Sequence, residues 1–269
     1  AHLDELLLVN ELLRPASGPN PYATATVAPT DINKLTLGDV KQFHKKHYVP
    51  SSAKLIVVGD IEADPATQIV QRAFATWTGT APDVPTAASP TPTDYNRVVV
   101  ADRPGMTSST VMLAALGPAR QDQVWPALMI AAQLLSGSES TCRASADGLH
   151  LYSSSAFAAL GPNVAEGPLP FAACSTTSPE ETKQRVEQML ARVKDLGAKE
   201  PDLAALDAAK SAVVEHLVTS VASPPSFSDS LARYASLRLD PDTTETTIDS
   251  LRAVTPEQVK TAMGVHVRD

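Results

Sequence analysis

Cysteine is scarce in this chain of 269 residues, which contains only Cys142 and Cys174. Two cysteines are too few for a disulfide-built scaffold, and these two lack the Cys-x-x-Cys spacing of redox and many zinc sites. We therefore predict two unconnected thiols, with a single disulfide in an oxidising compartment as the alternative.

The chain also lacks a long apolar run and an excess of basic residues. Its formal net charge is −8 and its pI about 5.2, whereas nucleic acids and anionic membranes attract basic surfaces. No apolar stretch reaches the roughly 18–20 residues that span a bilayer, and the opening AHLDELLLVNELL carries acids where a signal peptide carries bases. We expect no nucleic-acid partner and no membrane insertion.

Clear local signals mark a helix near residue 36. Thr36 has the position of an N-cap, and Asp39 three residues later can complete a capping box. The predicted buried side of this helix consists of Val40, Phe43 and Tyr48.

A strand and a second helix follow. Residues 54–59 are rich in β-branched side chains and predict a buried strand, with Asp60 in the turn after it. Apolar residues at helical spacing continue from Pro65 to Trp77. Helix, strand and helix in this order favour an α/β layer.

The best candidate for a linker is the Pro-, Thr- and Ala-rich stretch that fills residues 80–96. It separates a predicted first unit, residues 1–79, from a second unit, residues 97–269. In the second unit the patterns predict strands at 97–101, 107–116, 149–159 and 168–176, and helices at 125–135, from 178 onward, at 203–221 and at 227–239.

The two units share a helix start. Leu35-Thr36 followed by Val40-Lys41 is repeated as Val254-Thr255 followed by Val259-Lys260. Such an echo indicates an internal duplication.

Residues 20–79 resemble the pitrilysin/insulinase-type zinc peptidases, a family that includes the mitochondrial processing peptidase. The resemblance is carried in order by Pro21-Tyr22, the Leu-Thr-x-x-Asp-Val helix start, Phe43 with Tyr48 and Pro50, a strand that closes on Gly59-Asp60, and Phe74 with Trp77. Residues 97–265 are similar to the family's second domain more loosely. An unrelated α/β binding domain is the alternative. It would be favoured if the two Thr-x-x-x-Val-Lys helices did not superpose together with their surroundings in a structure.

The resemblance implies an α+β fold of duplicated two-layer α/β sandwich domains, each with an antiparallel-rich sheet covered by helices on one face. Two such domains close like a clamshell around a peptide. In these terms residues 1–79 are the C-terminal half of a first domain, and residues 97–269 are a second domain truncated at its C-terminus.

The zinc motif of the family is absent. Active members carry His-x-x-Glu-His on a helix with a further Glu, and none of the six histidines here lies in such a motif in either orientation. We expect no metal bound by this chain, no hydrolysis by the chain alone, and zinc in the full-length protein or a partner. Bacterial relatives are often periplasmic, so the sequence gives no compartment directly and the resemblance favours the bacterial periplasm.

Two functions follow from the resemblance. In the first, the chain is the part of a metalloendopeptidase that helps to enclose and position a peptide or unfolded polypeptide, with an N-terminal zinc-bearing half or a homologous subunit as partner. In the second, it is a catalytically inactive paralogue that serves as scaffold or substrate-binding partner of a zinc-bearing subunit.

His44 and His47 lie one helical turn apart, a spacing found in some metal sites. Two lysines lie between them and no third ligand is in register. We predict that both histidines are solvated. His150, between two leucines of a predicted strand, is also expected to face solvent, and the Ser clusters lack a Lys or His at nucleophile spacing.

Active relatives hold the substrate backbone with an Arg and a Tyr shortly after a Gly/Ser-rich loop. The loop SGSESTCR ends here at Arg143, and Tyr152 follows in the next predicted strand. Arg supplies a forked donor for peptide carbonyls and Tyr a hydroxyl for a developing oxyanion. Spacing and neighbours depart from the family pattern, so a surface Arg and an edge-strand Tyr are the alternative.

Overall fold

The computed structural model describes residues 29–83, 98–116, 118, 122–136, 150–151, 170–236 and 238–266. Helices dominate this part of the chain. The helices are α1 (Pro29–Ile32), α2 (Leu37–His47), α3 (Ala63–Ala73), α4 (Trp125–Ser136), α5 (Thr182–Ala198), α6 (Leu203–Ser220), α7 (Pro224–Ser236), α8 (Thr243–Ala253) and α9 (Pro256–His266). The strands are β1 (Ser109–Leu116), β2 (His150–Leu151) and β3 (Pro170–Thr177).

The three strands form one antiparallel sheet in the order β1-β3-β2. β1 pairs with β3 along its whole length, from Ser109 opposite Thr177 to Leu116 opposite Pro170. β2 adds a short pairing on the other edge of β3, with His150 opposite Ala172. The strands expected at 107–116 and 168–176 are therefore observed with slightly shifted ends.

The predicted fold class is wrong for the described residues. We expected antiparallel-rich sheet sandwiches, and the structure is mostly helical with one small sheet. The predicted strand at 54–59 is not a strand in the structure. The strand predicted at 97–101 is described at residues 98–101, which also adopt no strand structure. A β-rich sequence becomes a strand only when a neighbouring chain satisfies its backbone N–H and C=O groups, and neither segment has such a neighbour among the residues described.

The hydrophobic core of the described residues is built mainly by α4, α6, α8 and α9. α4 packs against α6 and α9, α8 packs against α6 and α4, and α5 lies against α9 and β1. Leu128 and Ile130 of α4, Leu251 of α8 and Val259 of α9 have no exposed surface. The sequence of α4, WPALMIAAQLLS, contains no charged residue. This agrees with its position in the core, since a helix that is buried on several sides is apolar all round.

The expected buried face of α2 is exposed. Val40, Phe43 and Tyr48 have exposed fractions of 55%, 58% and 61%. α2 and α3 contain no buried residue, and in residues 30–83 only Val49 is buried. The amphipathic pattern of both helices is real, but the described chain places nothing over their apolar faces.

Most of the predicted linker falls on residues 84–97, which lie outside the described part of the chain. The division into units 1–79 and 97–269 thus stays a prediction. A hydrogen bond links the two sides of this stretch: Lys54 Nζ donates to the carbonyl oxygen of Ala235, at the end of α7, at 3.4 Å. No helix in the described residues has the length and apolarity needed to cross a membrane.

Candidate functional site

The two predicted substrate-binding residues, Arg143 and Tyr152, lie outside the described residues, as does Cys142. The structure describes β2 up to Leu151, which pairs with Phe171. Cys174 lies in β3 opposite Met112. The proposed roles of Arg143 and Tyr152 and the state of the two thiols therefore stay predictions.

His44 and His47 occupy the last turn of α2 and stack on aromatic rings. The ring of His44 lies 4.7 Å from that of Tyr48, and the ring of His47 lies 4.5 Å from that of Phe43. With Lys45 and Lys46 they place basic groups at a helix C-terminus, where the helix dipole favours cations.

A zinc ion does not fit this pair. Both imidazoles are stacked face to face on neighbouring rings, and a structural or catalytic zinc site needs at least three protein ligands. In the described residues no group of three or more His, Cys, Asp or Glu side chains is arranged to hold a metal.

The repeated helix start forms a capping box in both copies. In α2, the Asp39 amide donates to Thr36 Oγ1 at 3.2 Å, and the Thr36 amide donates to the Asp39 carboxylate at 2.8 Å. In α9, the Gln258 amide donates to Thr255 Oγ1 at 3.3 Å, and the Thr255 amide donates to Gln258 Oε1 at 2.9 Å. Hydrogen bonds from the Thr36 hydroxyl and amide lower the pKa of the Asp39 carboxyl below its ordinary value.

Sequence reasoning missed the exposure of many apolar side chains in residues 32–77, which we together call the uncovered face. It comprises exposed side chains from α2, from the 54–58 segment, and from α3 with the residues around it. Its members are Leu35, Val40, Phe43, Leu55, Val57, Ile61, Ile69, Phe74 and Trp77. Val40, Phe43 and the strand residues 54–59 were expected to be buried, and nothing local in the sequence tells an apolar face that is covered from one that is not.

Part of the uncovered face is a groove. It is lined by Val57, Ile61, Glu62 and four residues of α3: Pro65, Ala66, Ile69 and Val70. Apart from Glu62, the lining consists of apolar residue types. Large apolar patches on a soluble chain mark interaction sites.

The sequence model of the family described as "Peptidase M16 inactive domain" matches residues 34–213, about two-thirds of the chain. The chain belongs to this family. The resemblance to zinc peptidases is thereby confirmed, and the chain is a non-catalytic portion of zinc-protease-like proteins. No curated protein sequence matches the chain.

Solved structures support the M16 fold. A protease from Helicobacter pylori has a TM-score of 0.73 at 18% identity, with 89% of this chain and 58% of that chain covered. A peptidase M16 inactive domain from Pseudomonas fluorescens also has a TM-score of 0.73, at 21% identity, with 99% of this chain and 62% of that chain covered. The periplasmic protease PqqL from Escherichia coli has a TM-score of 0.65 at 16% identity, with 98% and 29% covered. The chain thus spans about six-tenths of the length of the first two.

Proposed function

We propose that this chain is the part of a pitrilysin/insulinase-like metalloendopeptidase that encloses and positions an unfolded peptide, while zinc is held by another part of the protein or by a homologous subunit. One observation carries the proposal: the M16 match covers residues 34–213, and the sequence has no His-x-x-Glu-His motif. Zinc peptidases need that motif to bind the ion and to activate water.

Arg143 and Tyr152 are the residues we assign to substrate contact. The guanidinium of Arg143 donates to peptide carbonyls, and the hydroxyl of Tyr152 donates to the oxygen that becomes negative when the peptide bond is attacked. In this proposal the chain, which is acidic and non-catalytic, binds and orients the substrate. This raises the local concentration of correctly placed substrate at the zinc site.

The assay uses carboxymethylated casein with zinc, the full chain, and a polypeptide that carries His-x-x-Glu-His. We expect no hydrolysis by the chain alone and zinc-dependent hydrolysis, abolished by EDTA, when the two are mixed. Hydrolysis by the chain alone would overturn the proposal.

Two substitutions test the assigned residues in the mixture. Arg143→Lys removes the forked donor and should raise KM about tenfold, the effect of one lost charge-assisted hydrogen bond. Tyr152→Phe should lower kcat by about tenfold to a hundredfold with little change in KM, because its contact strengthens in the transition state. Arg72→Lys and Tyr48→Phe, at exposed positions on α3 and after α2, are the matched controls.

A scaffold role is the second candidate, favoured by the description of the matching family as an inactive domain. In that case the reading frame that precedes Ala1 carries no zinc motif, and the chain binds casein or a zinc-bearing subunit without adding to turnover. Sequencing that frame separates the two functions.

A further inference from the structure

We draw no further inference here: the strongest candidate, the apolar groove between Val57 and α3 on the uncovered face, carries none, because nothing in the described residues shows what covers it and the burial of its strand within the first unit is what the sequence already predicts.

Discussion

Gly197 of α5 and Gly264 of α9 meet where the two helices cross. A Cβ added at Gly264 would lie 3.5 Å from the carbonyl oxygen of Gly197, and one added at Gly197 would lie 3.6 Å from the amide nitrogen of Gly264. These are ordinary van der Waals distances, so the crossing has room for one methyl group and no more.

Gly264→Ala should therefore be tolerated and raise the free energy of unfolding by up to about 0.5–1 kcal/mol, since alanine is the better helix former. Gly264→Leu should cost about 1–3 kcal/mol relative to Gly264→Ala, because the longer side chain forces the helices apart. Urea unfolding of the full chain measures both. Ala191→Leu, at an exposed position of α5, is the control, and an equal loss there would contradict the tight crossing.

Gly79 should be sensitive to substitution and Gly59 should not. Gly79 has a φ of 136°, and a Cβ there would lie 2.9 Å from Cγ1 of the buried Val49. Gly79→Ala should cost about 1–3 kcal/mol of local stability through strain and the clash. At Gly59 a Cβ meets nothing within 4 Å. Limited proteolysis of residues 48–83 should accelerate in Gly79→Ala and stay unchanged in Gly59→Ala.

The two capping boxes should differ in their response to acid. The pKa of Asp39 is lowered by its hydrogen bonds from Thr36, so the folded state holds this proton more weakly than the unfolded state. Its stabilisation of α2 is present above the ordinary aspartate pKa of about 3.8 and is lost as the pH falls through the folded value. Gln258 does not titrate, so the box of α9 is unaffected.

NMR of the Thr36 and Thr255 amides between about pH 6 and pH 2 measures this difference, because each amide donates to the partner side chain of its box. We expect an acid transition at Thr36 that is absent at Thr255. Asp39→Asn should remove it. If the acid transition at Thr36 persists in Asp39→Asn, a group other than Asp39 causes it.

Val40 and Val259 should contribute very differently to the stability of the free chain. Val259→Ala creates a cavity among α4, α5 and α9 and should cost about 2–3 kcal/mol. Val40→Ala, at an exposed position with the same local sequence, should change the free energy of unfolding by less than about 0.5 kcal/mol. Thermal and urea unfolding of both variants test the contrast, and comparable losses would mean that α2 is covered in the free chain.

The positions of most helices could be predicted from the sequence. The sequence predicts the capping box at Thr36, and the helices predicted at 125–135 and 203–221 are observed as α4 and α6 with ends shifted by one residue. Helix α8, with its run of threonines, was missed because threonine is a poor helix former and its pattern is weak. There the burial of Thr247 and Leu251 against α6 and α4 outweighs local preference.

The family and the absence of the zinc motif were fixed by the sequence itself, because a motif is an ordered set of residue types. Capping, too, is decided locally, by hydrogen bonds between residues three apart. Pairing and burial were decided only by the tertiary structure. Residues 54–59 have a β-prone sequence and no partner strand in the described chain, and Val40 and Val259 share one pattern with opposite exposure. A strand or an apolar face depends on contacts with residues far away in the sequence, which local periodicity does not encode.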